Sequence, residues 1–270
     1  MTLSARVVKR LPHFVLDVEL SCAPGTITVL TGPSGSGKTT LLRLLAGLDE
    51  PDAGRAAMAG RVWLDTAKGI RVKPQYRGIG LVFQEYSLFP HMTLAQNVAY
   101  ATTDAAFAHE LLRLFGIAHL AGARPCGMSG GERQRGALCQ ALARRPEALL
   151  LDEPFSALDA ATRVALRQEL LRIRDRFAIP IVHVTHDLAE AALLGDQMLS
   201  INRGVVDPDW FDRQLALHLE ERQALFDRRT SLRQGGRFGT AAVPGKHCGS
   251  AGAPAASCFA LAGTGTDDPS

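Results

Sequence analysis

The stretch GPSGSGKTT, residues Gly32–Thr40, determines the fold because it joins two segments of different periodicity. Before it, Ile27–Leu30 is a short apolar run typical of a buried strand. After it, Lys38–Leu48 predicts a helix with leucines on its inner face. The glycine loop therefore opens a helix at its N-terminus, where the helix dipole is positive, and the order strand, loop, helix predicts an α/β fold.

The loop has the spacing G-x-x-x-x-G-K-[ST] of a phosphate-binding loop. Gly32, Gly35 and Gly37 allow the backbone to turn its N–H groups inward around a phosphate. Lys38 adds a positive charge, and the hydroxyl of Thr39 suits Mg²⁺. We therefore predict a nucleotide site whose contacts come from Gly32, Pro33, Ser34, Gly35, Ser36, Gly37, Lys38, Thr39 and Thr40.

Composition restricts the classes of partner. The 270 residues are 46% hydrophobic, which is enough for a buried core. A formal net charge of +3 without a long Lys/Arg run argues against a nucleic-acid partner. The five cysteines include no C-x-x-C pair, so neither a disulfide framework nor a zinc site is predicted, and a reducing cytoplasm is expected.

No segment of the sequence is expected to enter a membrane. The N-terminal residues MTLSARVVKRLPHF lack the apolar core of a signal peptide. No run approaches the roughly 20 apolar residues that span a bilayer. Any role at a membrane would therefore depend on a partner protein.

The order of the remaining segments predicts a sheet interrupted by helices. Short strand-like pieces extend to Phe83, and an alanine- and leucine-rich helical insert follows at about residues 94–145. ALLLDEP and IPIVHVTHD then indicate buried parallel strands separated by a helix. Residues 207–234 are charged and predict a helix, whereas residues 235–270, rich in Gly, Ala, Pro and Ser, predict a disordered tail.

An acidic pair ends the strand ALLLDEP. Asp152 lies at its carboxyl tip, where α/β sheets bind ligands, so its carboxylate is predicted to hold Mg²⁺. Glu153 is predicted to orient an attacking water or to accept its proton. Taken alone, this pair is also typical of a solvated strand exit; the phosphate loop elsewhere in the chain favours the metal and catalytic roles.

Two further polar residues close apolar runs. His186, in VHVTHD, ends a strand on the side where the phosphates bind, which predicts contact with the γ-phosphate. His183 lies inside the same strand and is predicted to pack in the core. Gln84, in LVFQEY, is placed for its amide to reach the metal or the attacking water, although alone it would be read as a surface residue.

The segment MSGGERQR supplies a second loop for an anion. Ser129, Gly130 and Gly131 precede a predicted helix, so their N–H groups are expected to be available. One chain would then have two anion sites and one catalytic acid. The arrangement is explained if two chains face each other, each giving its serine-glycine loop to the nucleotide held by the other.

These motifs, in this order, resemble the ATP-binding cassette (ABC) family over residues 1–206. The series ends with the turn SALD, Ser156–Asp159, and the switch histidine His186. The resemblance implies a P-loop NTPase core with a mixed or parallel sheet, an N-terminal antiparallel β subdomain, and a helical insert that carries the signature. It also implies ATP hydrolysis with Mg²⁺.

The site residues implied by the resemblance fall into three groups. The catalytic residues are Glu153, His186 and Gln84. The metal ligands are Thr39, Gln84 and Asp152. The contacts to ATP outside the phosphate loop are Ser129, Gly130, Gly131, Glu132, Asp159 and Phe14, of which Phe14 is the candidate for stacking on adenine, with core packing as its alternative. Glu132 replaces the usual glutamine of the signature, and its charge would need compensation, for which Arg133 is a candidate.

Partners also follow from the resemblance. A second copy of the chain, integral membrane permease subunits contacted through residues 84–91, and indirectly an extracytoplasmic solute-binding protein are implied, with the chain at the cytoplasmic face of the inner membrane. Soluble cassette proteins that act on DNA or ribosomes usually carry a long coiled-coil insertion or two cassettes, which this sequence lacks. A simple kinase would leave the signature and His186 without a role.

The cargo is indicated by residues 60–101. This stretch resembles the ATPase subunits of molybdate importers, which share a similar KGI insert and LFPH segment. Because LFPHMTLAQNV also occurs in similar form in importers of sulfate, iron and polyamines, these cargoes stay alternatives to molybdate. Molybdate ATPases usually carry a C-terminal small-barrel domain for regulation, whereas this chain continues into low-complexity sequence.

Overall fold

The computed structural model describes residues 1–84 and 88–235, with side chains to residue 229. By its contacts the chain divides into a compact unit Met1–Gln223 and a second unit that begins at Ala224. The sites discussed below all belong to the first unit. The tail predicted to be disordered lies, beyond Gly235, outside the described residues.

The described residues form eleven strands of one sheet and seven α-helices. The sheet order is β6-β5-β4-β1-β2-β11-β10-β3-β9-β8-β7. The strands are β1 Leu3–Arg10, β2 Val15–Cys22, β3 Ile27–Thr31, β4 Ala53–Met58, β5 Arg61–Asp65, β6 Ile70–Arg71, β7 Ile79–Val82, β8 Ala148–Asp152, β9 Ile181–Val184, β10 Gln197–Asn202 and β11 Val205–Val206. The helices are α1 Lys38–Ala46, α2 Leu94–Tyr100, α3 Ala105–Leu114, α4 Gly130–Ala143, α5 Ala160–Phe177, α6 Leu188–Leu194 and α7 Trp210–Gly235. Across residues 1–84 and 88–235, no helix is both long and apolar enough to cross a bilayer.

One half of the sheet is parallel and places the site. Strands β10, β3, β9, β8 and β7 pair in parallel, so their carboxyl ends lie along one edge. Strand β7, which the sequence grouped with the N-terminal pieces, pairs with β8 at the end of this parallel part. The other half, β1, β2, β4, β5 and β6, is antiparallel. The predicted α/β fold with a mixed sheet is confirmed.

Two hydrophobic cores cover the two faces of the parallel strands. Because side chains alternate along a strand, Leu149 and Leu151 of β8 belong to the core of helices α2–α6, whereas Leu150 faces the other core. That second core also holds Leu41 and Leu45 of α1, together with the inward residues of the antiparallel strands. Helix α1 is thus fixed between the two halves of the sheet.

A buried arginine fixes the far end of α1. Nη1 of Arg77 donates to the carbonyl oxygens of Leu44 and Leu45, at 2.9 and 2.7 Å, and its Nε donates to the carbonyl oxygen of Val72 at 2.9 Å. Burial lowers the pKa of this guanidinium, and the negative C-terminal end of the helix favours the cation. The helix that begins at the phosphate loop is therefore attached to the segment that enters β7.

Candidate nucleotide site

The phosphate loop connects β3 to α1 and needs its glycines. Gly32, Gly35 and Gly37 have φ angles of 136°, 75° and 107°, in the region that favours glycine. A Cβ on Gly32 would lie 2.0 Å from the carbonyl oxygen of Ile201. The sequence spacing therefore corresponds to a backbone that other residues cannot adopt without displacing β10.

Lys38 lies inside this loop. Its Nζ donates to the carbonyl oxygens of Gly32 and Pro33, at 2.9 and 2.8 Å, and the residue is only 6% exposed. Burial lowers the pKa of the ammonium, while the charges of Glu153 and Asp152 oppose that shift. A buried cation surrounded by a glycine backbone is suited to an anion such as a phosphate.

The hydroxyl of Thr39 and the carboxylate of Asp152 meet at the same edge. Thr39 Oγ1 donates to Asp152 Oδ1 at 3.1 Å, although the two residues are 113 positions apart in the chain. Asp152 is 7% exposed, and burial raises its pKa; the bond from Thr39 and the charge of Lys38 oppose this, while Glu153 adds to it. An alcohol oxygen and a carboxylate in contact are the oxygen donors that Mg²⁺ prefers, so these residues fit that ion.

Glu153 and His186 form the second contact of the edge. Nδ1 of His186 lies 3.0 Å from Oε2 of Glu153. Glu153 has a φ of 47°, which is uncommon for a residue with a side chain, and its N–H donates to the carbonyl oxygen of Val184 at 3.0 Å. The turn after β8 is therefore strained, and the neighbouring strand β9 holds it. His183, predicted to pack, is fully buried.

Gln84 follows β7 and is exposed. Because β7 pairs in parallel with β8, Val82 opposite Leu151, Gln84 emerges at the edge that carries Asp152. Residues 85–87, the next part of the predicted permease contact, lie outside the described part of the chain.

A cavity of about 380 Å³ lies over the phosphate loop. Its walls are residues 34–40, Glu153 and the turn of residues 11–14, which is closed by a hydrogen bond of 2.9 Å from Leu11 N–H to the carbonyl oxygen of Phe14. Phe14 is half-buried beside Gly37 and forms part of the wall of this cavity. His13, which sequence reasoning missed, is exposed on the same wall; its position next to Phe14 was the available signal.

The signature loop differs from the expectation of unbonded N–H groups before a helix. Helix α4 already begins at Gly130, with Ser129 as its N-cap. The Ser129 N–H and hydroxyl donate to Glu132 Oε2 at 2.7 and 2.8 Å, and the Glu132 N–H donates to the Ser129 hydroxyl at 3.4 Å. This reciprocal capping box occupies the N–H of Ser129, which is one of the three N–H groups that the sequence had assigned to an anion, the others being those of Gly130 and Gly131.

The charge of Glu132 is compensated mainly within that box. The hydrogen bonds from the Ser129 N–H and hydroxyl lower the pKa of Glu132, and the charges of His119 and Arg135 act in the same direction. Arg133, the candidate from the sequence, donates through Nη1 to the carbonyl oxygen of Met128 at 2.6 Å. The helix cap explains why a glutamate is tolerated at this position.

Asp159 is the N-cap of α5. Its carboxylate accepts hydrogen bonds from the N–H groups of Ala161 and Thr162, both at 3.0 Å, and from the Thr162 hydroxyl at 2.6 Å, which together lower its pKa. Among the described residues, the lining of the cavity over the phosphate loop includes neither Asp159 nor Ser129. The structure thus brings Lys38, Thr39, Asp152, Glu153 and His186 to one edge and places the signature loop elsewhere.

Comparison with known proteins agrees with this geometry. The sequence model of the ABC transporter family matches residues 15–156. The chain is 45% identical over 201 residues to a sulfate/thiosulfate import ATP-binding protein of Gloeobacter violaceus, covering 72% of this chain and 57% of the relative. It is 42% identical over 210 residues to a molybdenum import ATP-binding protein of Albidiferax ferrireducens, covering 76% and 57%.

A solved structure is similar along most of the first unit. The dimeric post-hydrolysis state of the ATP-binding cassette MJ0796, bound to ADP and Pi, has a TM-score of 0.64 and 28% identity, covering 77% of this chain and 97% of that one. The chain therefore belongs to the ABC transporter family. It spans little more than half the length of the two curated relatives just named.

Substitution of Asp152 by asparagine is expected to stabilise the nucleotide-free chain. The pKa of Asp152 is raised in the folded chain, so the folded chain binds this proton more tightly than the unfolded chain does. The stability of the fold therefore falls as the pH rises through the unfolded-state and folded-state pKa values, and the loss is complete above both. At pH 7, Asp152→Asn removes a buried charge and should raise Tm by about 1–4 °C in thermal denaturation.

The gain should shrink as the pH is lowered, because the raised pKa lets Asp152 take up a proton before an ordinary aspartate does. Asp209→Asn, at an exposed position, is the control and should leave Tm unchanged. A lower Tm for Asp152→Asn at pH 7 would show that the Thr39 and Lys38 contacts outweigh the cost of burial.

Proposed function

We propose that the chain binds ATP with Mg²⁺ in the cavity over the phosphate loop and hydrolyses it as the ATPase subunit of an importer. The observation that carries this proposal is the meeting of the buried Lys38, the Thr39–Asp152 contact and the Glu153–His186 contact at one sheet edge. The family membership and the import proteins among the relatives support it.

Each group has a role that its chemistry supports. Lys38 and the N–H groups of the loop bind the β- and γ-phosphates. Thr39 and Asp152, with Gln84 at the same edge, would hold Mg²⁺, which neutralises phosphate charge when bound. Glu153 orients the attacking water or accepts its proton, and His186 fixes that carboxylate while its ring faces the γ-phosphate.

A second copy of the chain completes the site in this proposal. The cavity is formed without the signature loop, although Ser129 and the first turn of α4 have the character of an anion site. If a facing chain supplies its signature loop, the cavity gains the anion site that its own chain does not provide there. The similar cassette of known structure is dimeric. On ATP binding, Ser129 would exchange its bonds to Glu132 for bonds to a phosphate of the nucleotide that the partner chain holds.

Removal of the loop cation tests nucleotide binding. Lys38→Ala should lower the affinity for ATP with Mg²⁺ by at least about tenfold, because a charge-assisted contact to the phosphates is lost. Isothermal calorimetry measures the affinity, and circular dichroism checks the fold. Lys73→Ala removes an exposed lysine and should bind ATP like the parent chain. Equal affinity of the Lys38→Ala variant would refute the proposed site.

We propose that the permease contact lies in a groove that includes Phe89, one of residues 84–91, which puts the chain at the cytoplasmic face of the membrane. A second cavity, of about 560 Å³, lies between β7, α2 and α4. The rings of Phe89 and Tyr100 meet edge to face there, with centroids 4.9 Å apart, and the exposed Arg144 lies on the rim. An aromatic floor with a cationic rim suits an amphipathic helix of a membrane subunit that carries an acidic residue.

Two tyrosines of equal exposure test the groove. Tyr100 and Tyr76 are both 68% exposed, but only Tyr100 lines the groove. Tyr100→Asp should abolish co-purification with an integral membrane protein, while ATP affinity stays at the parent value. Tyr76→Asp should leave co-purification intact. Loss in both variants, or in neither, would place the permease contact elsewhere.

We propose molybdate as the cargo, with sulfate as the second candidate. Residues 60–101 support molybdate, and a molybdenum import protein is among the relatives; the sulfate/thiosulfate import protein is similar to the same degree. Another solute, such as iron or a polyamine, stays open. In this arrangement a solute-binding protein and the permease select the cargo, so this chain does not touch it.

Deletion of the chain distinguishes the cargoes. Under molybdate limitation the deletion strain should lose molybdoenzyme activity and regain it when molybdate is abundant, because less selective uptake then suffices. Sulfate, iron and polyamine limitation are compared in parallel. Normal molybdoenzyme activity together with a growth defect under sulfate limitation would reassign the cargo to sulfate.

A further inference from the structure

Helix α5 contacts the signature helix along its first half. A Cβ on Gly131, in the first turn of α4, would lie 2.5 Å from Cγ2 of Thr162, so the side chain of Thr162 packs directly against this glycine. One turn further on, Nε of Arg135 donates to both carboxylate oxygens of Glu169, at 2.9 and 3.1 Å. A displacement of the signature loop is therefore passed to α5.

The same helix contacts the segment that carries His186. Nη1 of Arg163 donates to Oδ2 of Asp187 at 2.9 Å, and Nη2 donates to the carbonyl oxygen of Leu158 at 3.0 Å. The side chains of the pair are 28% and 26% exposed, so solvent screens them only partly. Arg163 thereby links the SALD turn before α5 to the residue that directly follows His186.

Asp187 has little freedom to move independently of α6. Its carboxylate accepts the N–H of Glu190 at 2.9 Å as the N-cap of that helix. Glu190 in turn lies 2.5 Å from Nε2 of His183 in β9, and both are buried. Hydrogen bonds thus hold the segment between β9 and α6 together, and the contact with Arg163 connects this segment to α5. Burial acts to raise the pKa of Asp187, but the bonds from Glu190 N–H and Arg163, with the charges of Arg167 and Arg163, outweigh it and lower that pKa.

We propose that Arg163 is a positioning residue that, through Asp187, couples the signature loop to His186. The inference rests on the proposed function. In a pair of facing chains, Ser129 contacts the nucleotide of the partner, whereas His186 contacts that of its own chain. The path Ser129, α4, α5, Arg163, Asp187, His186 then connects the two nucleotides within one chain and makes hydrolysis depend on both.

Variants on each side of the pair test this coupling in the full chain. Arg163→Gln removes the charge, and Asp187→Asn weakens the pair while asparagine retains the N-cap of α6. Each should lower kcat for ATP by about tenfold or more, since misplacement of a reacting group is costly. The ATP affinity of the chain should stay within about twofold, and the Hill coefficient of ATP hydrolysis should fall toward 1.

The double variant distinguishes coupling from two separate defects. If both residues act through one contact, Arg163→Gln with Asp187→Asn should be no slower than the worse single variant. Arg163→Lys, which keeps the charge but loses the two-pronged geometry, should recover part of kcat. Arg174→Gln is the matched control, because it removes an ion pair between α5 and Asp196 far from the site and should leave kcat and the Hill coefficient unchanged.

The inference would be overturned by parent kcat in Arg163→Gln, by a fall in the rate of ATP hydrolysis that saturating ATP restores, or by effects that multiply in the double variant. An equal loss in Arg174→Gln would show general weakening of α5 and would overturn it too. Failure of the proposed function itself is seen separately, as a parent chain that binds or hydrolyses no ATP.

Discussion

Parallel pairing of β3, β9, β8 and β7 is the constraint on which the candidate site depends. It brings the residues that follow four strands to one edge, although they are up to about 150 positions apart in the chain. The contacts Thr39–Asp152 and Glu153–His186 are direct results of this pairing. Helix α1, which packs in the second core between the two halves of the sheet and is attached through Arg77, then directs its N-terminus at the same edge.

Several groups at this sheet edge are held in environments or backbone conformations that are energetically unfavourable. Burial lowers the pKa of Lys38 and raises that of Asp152, and Glu153 lies in a left-handed backbone conformation. Such costs persist only where the surrounding structure enforces them, and they cluster at functional sites. A phosphate beside Lys38 and a cation beside Asp152 would offset both unfavourable charges, which supports the proposal that a nucleotide binds here with its metal.

The sequence predicted the local elements of the site, but it did not predict which distant segments these elements contact. The phosphate loop was readable because glycine spacing, strand and helix agree, and Asp152, Glu153 and His186 because each ends an apolar run. The spacing Ser-x-x-Glu of Ser129 and Glu132 is itself the signature of a capping box, a signal that the sequence reasoning missed. Spacing could not show that β7 joins the parallel strands or that Arg163 reaches Asp187, because these contacts depend on tertiary pairing between distant segments.

Within the described residues neither Ser129 nor Asp159 lines the cavity of its own chain, so the proposed site depends on a second, facing chain. Light scattering during size-exclusion chromatography of the Glu153→Gln variant tests this most directly. With Mg²⁺ and ATP, the slowed variant should elute at twice the 28.9 kDa of one chain, and with ADP at the single mass. A variant that binds ATP yet stays at the single mass at every ATP and protein concentration would contradict the facing-chain site.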